Sequence, residues 1–408
     1  MDDARFRDVS NKVLVWAEER DFRGTDPYDG LNSRPLAPIL GRSRFLRLAV
    51  TQAVKNSPVN LRPLLGIPPG LNPKGLALFL CGLAGRNRQN REGMAGRLEQ
   101  MIMSLASRPD GSPAFSRDRA LRSDISLEEA AAAGIFAWGY DFPWQGKAFL
   151  QPAWAPTVVC SSFVLDALRD SESPFFPVAA ERLADFVEGH LRMFREQGGV
   201  CFSYSPRDGS RVYNASLFAA KILARAAVLP GSDPVGRRRK IALEACRYVA
   251  EKQLPDGGWH YGEAPHWRWT DGLHTGFVLD ALRDVSTVLD TREFSPVLER
   301  GLRYYLDRLF LKDGTARYYS HSTYPLDPHC FAQGAVTLCG FGMRGQARMV
   351  LSRAVELLWD PAAGGFIFRR GRHLRNRAVH IRWNQAWMFK ALSLFLAPGE
   401  EDAGESVV

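Results

Sequence analysis

FVLDALRD, residues 163–170, recurs letter for letter as residues 277–284, 114 positions further on. Half of that offset, 57 residues, recurs more widely. Steps of 57 from Thr157 land on Asn214, Asp271, Pro328 and Gln385. Each opens an apolar segment rich in small residues: TVVCSSFVLDAL, NASLFAAKILARA, DGLHTGFVLDAL, PHCFAQGAVTLCGF and QAWMFKALSLFL. A helix that is apolar nearly all round is buried on every side. Between these segments lie amphipathic ones, at 177–197, 234–253, 296–310 and 344–360, which read as outer helices with one wet face. After each comes a glycine-marked aromatic stretch: GGVCFSYSPRDG, GGWHYGEAPHW, DGTARYYSHS and GGFIFRRGR. Glycine supplies the turn, and the alternating aromatics suggest short strands or extended loops.

The repeating unit is therefore inner helix, outer helix, aromatic loop. No unit buries its inner helix alone, so the units must pack together. Inner helices without a polar side fit a closed ring better than an open stack. Upstream, residues 72–84 read as an earlier inner helix and 91–107 as its outer partner, with 43–54 another outer candidate. The pattern predicts an all-α protein, an (α/α)6-type toroid of about six helical hairpins with aromatic loops at one mouth. Residues 1–35 are expected to form an N-terminal helix and an ordered polar loop, 36–398 a single toroid domain, and 399–408 a disordered tail. The stretch 109–155 exceeds the period and is expected to carry an insertion.

The chain has 408 residues, 46% hydrophobic and 24% charged, with a formal net charge of +9. That is ordinary globular composition, and its surplus of arginine favours anionic partners. The arginine runs at 237–240 and 369–377 lie in no recognised nucleic-acid module and read as solvated surface, so no nucleic-acid partner is expected. No basic stretch followed by an apolar one opens the chain, and the apolar run from Gly75 is too short to span a bilayer. The six cysteines lack ligand spacing. They read as reduced, buried thiols of a cytoplasmic protein without a metal or other cofactor. DPHC, residues 327–330, is the one crowded candidate, and its members stand too close together for a tetrahedral zinc site. The oligomeric state is left open.

QLPDGGWHYGE, residues 253–263, resembles the Q-x-x-x-G-x-W loop of squalene–hopene cyclases and other α/α-toroid proteins. DGLHTGFVLDAL and RWNQAWMFKALSLF, residues 271–282 and 382–395, resemble segments of bacterial toroid proteins encoded with polysaccharide genes. Those are related in architecture to six-hairpin glycosidases and toroid polysaccharide lyases. The resemblance covers about residues 120 to 397 and implies the toroid architecture; it fixes no reaction. The D-x-D-D acid of class II terpene cyclases has no counterpart here, since SDISLEEA, residues 123–130, does not match it.

In a toroid, the loops before the inner helices gather at one mouth, so polar residues at inner-helix starts converge. Those residues are Thr157, Tyr213, Asn214, Asp271, His274, Asp327, His329, Arg382, Asn384 and Gln385. Helix capping accounts for Asn and Asp at such places. It does not account for histidines inside the first turn or for Arg382 at a helix start, where the dipole disfavours a cation. The loops add Asp141, Trp144, Trp259, Tyr261, Trp269 and Tyr318. They can cover the core, but ten tryptophans set among Arg, His and Asp also suit a sugar-binding cleft. Hydrolysis needs two carboxylates flanking the bond, for which Asp271, Asp327 and Asp141 are candidates. Elimination or C5-epimerization of a uronic acid needs a Tyr or His base and a group that neutralises the carboxylate. Tyr213, Asn214, His274, His329 and Arg382 fit those needs, with Arg382 as a bidentate carboxylate fork. The expectation is a carbohydrate-active enzyme acting on an acidic, uronate-bearing glycan, with hydrolysis placed slightly ahead of elimination or epimerization. An isoprenoid cyclase and a non-catalytic glycan-binding scaffold are the alternatives. The N-terminal segment around Asp26, Tyr28 and Asp29 is either a plain turn or an ordered loop across the mouth.

Overall fold

The computed structural model describes residues 1–41, 43–85, 92–116, 118–146, 149–196 and 198–397; the tail from Gly399 lies outside them. In chain order the helices are α1 (Asp3–Glu18), α2 (Ala37–Leu40), α3 (Arg44–Asn56), α4 (Pro73–Ala84), α5 (Glu92–Ser104), α6 (Leu127–Ala132), α7 (Val158–Asp170) and α8 (Phe176–His190). There follow α9 (Tyr213–Ala227), α10 (Arg237–Glu251), α11 (Gly272–Val288), α12 (Ser295–Leu309), α13 (Pro328–Gly340), α14 (Arg344–Leu358) and α15 (Trp387–Leu396). A π-helical turn, Ile381–Ala386, leads into α15.

The all-round apolar segments are the inner helices. Each packs on the next, from α4 through α7, α9, α11, α13 and α15 and back to α4, which closes the ring. The outer helices α5, α8, α10, α12 and α14 each pack on the inner helix before them. The sixth pair is made differently. Its outer member is α1, from the start of the chain, which packs on α15 with Phe6, Val9, Val13 and Ala17 wholly buried. The expected boundary at residue 35 therefore does not separate the N-terminal helix from the ring. The outer candidate at 43–54 also differs: α3 packs on the 3-10 turn Asp29–Asn32 and on the Trp144–Gln145 strand, away from the ring wall. The overlong stretch 109–155 holds α6 and an antiparallel hairpin pairing Trp144–Gln145 with Leu150–Gln151.

Further short antiparallel hairpins occur in the glycine-marked loops, for instance Met193–Glu196 with Gly199–Phe202 and Arg369–Arg370 with Arg375–Asn376. Neighbouring units are stitched at the mouth by backbone bonds. The first amide of each of three inner helices, an orphan donor by helix geometry, donates to the next unit's loop. Val158 reaches Tyr204 O, Tyr213 reaches Tyr261 O and Gly272 reaches Tyr318 O, at 3.0–3.3 Å. Tyr204, Tyr261 and Tyr318 are themselves spaced by 57 residues.

The repeated octapeptide occupies equivalent places on α7 and α11, either side of α9. Phe163 and Phe277 meet at 5.6 Å, with Phe218 of α9 and Trp387 of α15 completing an aromatic plug across the ring centre. The aspartates of the two copies face cations. Lys221 Nζ donates to Asp166 at 2.7 Å, and Arg225 donates to Asp284 at 2.6 and 2.7 Å. The aromatic plug uses the same letter of both copies, whereas the ionic layer uses the fourth letter of the first and the eighth of the second; Asp280, the counterpart of Asp166, accepts instead from Gln333 and Thr337.

Candidate functional site

Two of the five periodic anchors, Thr157 and Asp271, cap their helices, and Asp327, just before the anchor Pro328, caps a third. Thr157 accepts from Cys160 N, Asp271 from His274 N and Asp327 from His329 N. Asn214 is the second residue of α9, whose capping residue Val212 makes no side-chain bond, and Gln385 lies within the π-helical turn. Capping does not exhaust the aspartates. The second oxygen of Asp271 takes Trp269 Nε1 at 3.0 Å and His274 Nδ1 at 2.6 Å. Tyr261 stacks on Trp269 at 4.9 Å and meets the His274 ring edge-on at 4.5 Å. Asp271, His274, Tyr261 and Trp269 thus form one cluster, as the sequence suggests. Asp271 is buried, while 26% of the His274 side-chain surface stays accessible.

An enclosed cavity of about 10 Å³, room for one water, adjoins this dyad and is lined by Asn214, His260, Tyr261, Asp271 and His274 among others. Asn214 Oδ1 and His260 Nδ1 have no hydrogen-bond partner. On the outer side a cleft of about 550 Å³, walled by Phe149, Arg207, Arg211, Glu263 and Trp267, comes up to the same group, because Trp267 meets Tyr261 at 6.0 Å. Tyr213 follows Arg211 of this wall by two residues and is itself buried. Burial, helped by Glu263, pushes its phenol up to about 12. Trp144 packs on Phe149 and Tyr204 nearby.

A second cluster forms on α13 and the following loop. Asp327, wholly buried, accepts from Trp383 Nε1 at 2.8 Å and from Arg369 Nε at 2.9 Å. Arg369 lies over the Tyr318 ring at 5.1 Å. The run that reads as solvated surface thus sends one arginine inward to neutralise an aspartate. His329 is buried against Trp383 and Trp387, at 4.6 and 4.4 Å between ring centroids, and neither ring nitrogen has a partner. Burial, then the nearby Lys74 and Arg382, holds its imidazole well below the usual histidine range. Phe277 joins the two clusters, with His274 at 5.9 Å and His329 at 6.0 Å from its ring.

Arg382 has the fork expected of it, but the fork is filled. Its Nε and Nη2 bind the two oxygens of Asp26 at 2.6 and 2.8 Å, deep in the protein. Asp26 belongs to a strap over the mouth. Thr25 O accepts from Ile381 N, Gly24 pairs with Gly70, and Tyr28 packs on Trp383 at 5.5 Å while Lys55 donates to its hydroxyl at 2.6 Å. Of the two sequence readings of this segment, the ordered loop across the mouth is the one found. Asp141 lies beneath it, accepting from Asn72 Nδ2 at 2.6 Å, and burial pushes its carboxyl up to about 6.

Two expected site residues are tied into the loops, although Trp259 also lines the small cavity beside the dyad. Trp259 is buried with Nε1 on Val249 O, and Asn384 donates to Phe366 O and Ala378 O. Both brace the loops. Sequence reading misses Lys74, the second residue of α4. It is 2% exposed, and its Nζ stands 3.9 Å from the Phe163 ring centroid and 5.4 Å from those of Phe277 and Trp387. A signal for it exists: in NPKGLALFLCGLA a lysine follows the Asn-Pro cap of an otherwise apolar helix, two residues after the cap. His329 stands at that same offset from Asp327.

Among the described residues, no group of three or more His, Cys, Asp or Glu stands where it could hold a metal ion, and no helix is long and apolar enough to cross a membrane. No protein-family model matches the sequence, and no curated protein matches it. Solved structures do resemble it. A cellobiose 2-epimerase from Bacillus thermoamylovorans superposes with a TM-score of 0.55 at 10% identity, covering 81% of this chain and 89% of the other. A sugar epimerase from a ruminal bacterium gives 0.54 at 11% identity, covering 84% and 91%. A GH76 α-mannanase from Bacteroides thetaiotaomicron gives 0.52 at 9% identity, covering 79% and 84%. At such identities the likeness is one of fold, and that fold is the α/α toroid.

Proposed function

We propose that the protein is a carbohydrate-active enzyme that transfers a proton at a sugar carbon, with His274 as the base and Asp271 as its orienting carboxylate. The observation that carries this reading is the 2.6 Å contact between Asp271 Oδ2 and His274 Nδ1. A carboxylate on Nδ1 fixes the tautomer that leaves a lone pair on Nε2, and it stabilises the imidazolium formed when that atom takes a proton. Nε2 would remove a proton next to a carbonyl or carboxylate. The electron pair moves into an enolate. Return of the proton to the other face gives an epimer, and expulsion of a β-oxygen gives elimination. The toroid neighbours named as sugar epimerases agree with this class.

The site gives less support to hydrolysis, the reaction placed first from sequence. Both oxygens of Asp271 and both of Asp327 are engaged by tryptophan, histidine, arginine or backbone donors. Carboxylates so occupied are poorly placed to serve as the acid and base of glycoside hydrolysis, which leaves Asp141 as the one candidate with a raised carboxyl. Tyr28 and the strap roof the mouth on the Trp383 side.

The test is exchange in deuterated water with reducing disaccharides and uronate oligosaccharides as substrates. Deuterium should enter the sugar without a gain of water. Asp271→Asn, which keeps the cap but presents the wrong partner to Nδ1, should slow it by about a thousandfold or more. New reducing ends without deuterium, or undiminished exchange in His274→Asn, would refute the assignment.

A further inference from the structure

We propose that Lys74, with His329 and Trp387, forms a carboxylate-binding site beside the aromatic plug, at the start of the inner helices, and that its ligand is the carboxylate of a uronic acid residue. The inference deepens the reading of the site as a sugar site, and it names the anionic substrate class. It starts from three polar groups that the protein leaves unmet. Lys74 is almost fully buried, and no hydrogen bond or ion pair reaches its Nζ among the described residues. Both nitrogens of His329 and the indole Nε1 of Trp387 are buried without a partner. An unmet buried polar group is destabilising, and native proteins carry few of them. Here they occur together. His329 and Lys74 both face Trp387 and Phe277, at 4.4–6.0 Å from those ring centroids.

Three of the aspartates at the mouth are already engaged. Asp26 is held by Arg382, Asp327 by Arg369 and Trp383, and Asp271 by Trp269 and His274. The groups facing Lys74 are Arg382, Lys390, Asp26, Cys160 and His329. Their balance is positive, and with burial it holds the amine well below the usual lysine range. The faces of Phe163, Phe277 and Trp387 stabilise an ammonium without neutralising it. What is missing is one negative charge with two or more acceptor atoms. A carboxylate supplies both, and on arrival it would draw a proton onto Lys74.

The experiment is calorimetric titration of the full-length protein with glucuronate, with glucose and acetate as controls, in two buffers of different ionisation enthalpy. Glucuronate should bind more tightly than either control, with proton uptake by the protein. Lys74→Met should weaken glucuronate binding by about 10- to 100-fold, abolish the uptake and leave any glucose binding alone. Its melting temperature without ligand should not fall, because an unpaired buried amine contributes no native bond. Glucuronate binding no tighter than glucose overturns the proposal. Acetate binding as tightly as glucuronate overturns the sugar as ligand. Unchanged affinity in Lys74→Met, or a variant melting several degrees lower, makes Lys74 a structural residue. The proton uptake is read on the natural protein, so a misfolded variant leaves that arm intact. Repeating the titration with His274→Asn separates the two readings. Binding that survives there, while deuterium exchange is absent throughout, removes the proton-transfer function and keeps the carboxylate site.

Discussion

At the residue scale, the same chemical type does different work a few ångströms apart. Asp271 and Asp327 occupy matching caps, yet one orients a histidine and the other neutralises Arg369. Arg382 illustrates the limit of reading side chains one at a time. An arginine at a helix start looks like a waiting anion clamp, but its partner sits 356 residues earlier in the chain, and only folding reveals it. Asp141 gives a pH prediction. Burial raises its carboxyl to about 6, above the ordinary unfolded value of about 3.9. A carboxyl raised on folding binds a proton more tightly in the native state, so stability falls as pH rises between those two values. The penalty is absent below about pH 4 and complete above about pH 6, and it amounts to about 2–3 kcal/mol. Asp141→Asn keeps an acceptor for Asn72 without the charge. It should melt higher than the natural protein at pH 8, and the two should converge near pH 4. A gap that persists unchanged across that range would mean the carboxyl does not titrate there.

At the element scale, the inner helices owe their closeness to small residues. Gly276 precedes the second octapeptide. A Cβ there would meet Gln333 Cγ and the Tyr305 hydroxyl at 2.8 Å and Thr337 Oγ1 at 3.0 Å. The first copy has Ser162 at the matching place, so the repeat is strict in its apolar letters and local in its small ones. Gly276→Ala gains up to about 1 kcal/mol of helix propensity. It also forces neighbours in three helices apart, at about 1–3 kcal/mol. The net expectation is a loss of stability, read as a lower denaturation midpoint at unchanged slope; a rise would show that α13 yields freely. Elements of this kind are legible in the amino-acid sequence alone. The 57-residue period sets out the inner helices from Thr157 onward, and the amphipathic segments between them are the outer ones. The short hairpins are legible only as turns and aromatics, because two-residue strands carry too little alternation to register. The tyrosine carbonyls that stitch the units are hidden, since the bond is made by backbone and any side chain could stand there. Lys74 has only a faint signal, its place two residues after the Asn72 cap, and is passed over for another reason. A lone cation in an apolar helix reads as a surface residue unless its helix is known to face the ring axis.

At the scale of the whole molecule, the ring closes by joining the two ends of the chain. Every other outer helix follows its inner partner, so pairs in that order stand out along the sequence. α1 precedes its partner by more than 360 residues, and its amphipathic pattern is then indistinguishable from that of an independent N-terminal helix. The packing settles the matter. Phe6 meets Phe395 edge-on at 5.6 Å, Ser10 faces Ser393, and Arg348 of α14 binds Asp3 at 2.6 Å. The strap after α1 then crosses the mouth and ties the first inner helix to the last through Gly70 and Ile381. Ring closure and the roof of the site are therefore one continuous segment. Removing residues 1–18 should uncover the outer face of α15, whose burial by Phe6 and Val9 alone is worth several kcal/mol at about 1.5–3 kcal/mol per large apolar side chain. Because the ring is closed, the loss cannot stay at one end, as it would in an open stack. The shortened protein is expected to melt many degrees lower or to aggregate, and supplying the α1 peptide in trans should partly restore it. A truncated protein that melts with the full-length one would mean that five and a half hairpins suffice, and that α1 is an attachment to the ring and no part of its wall.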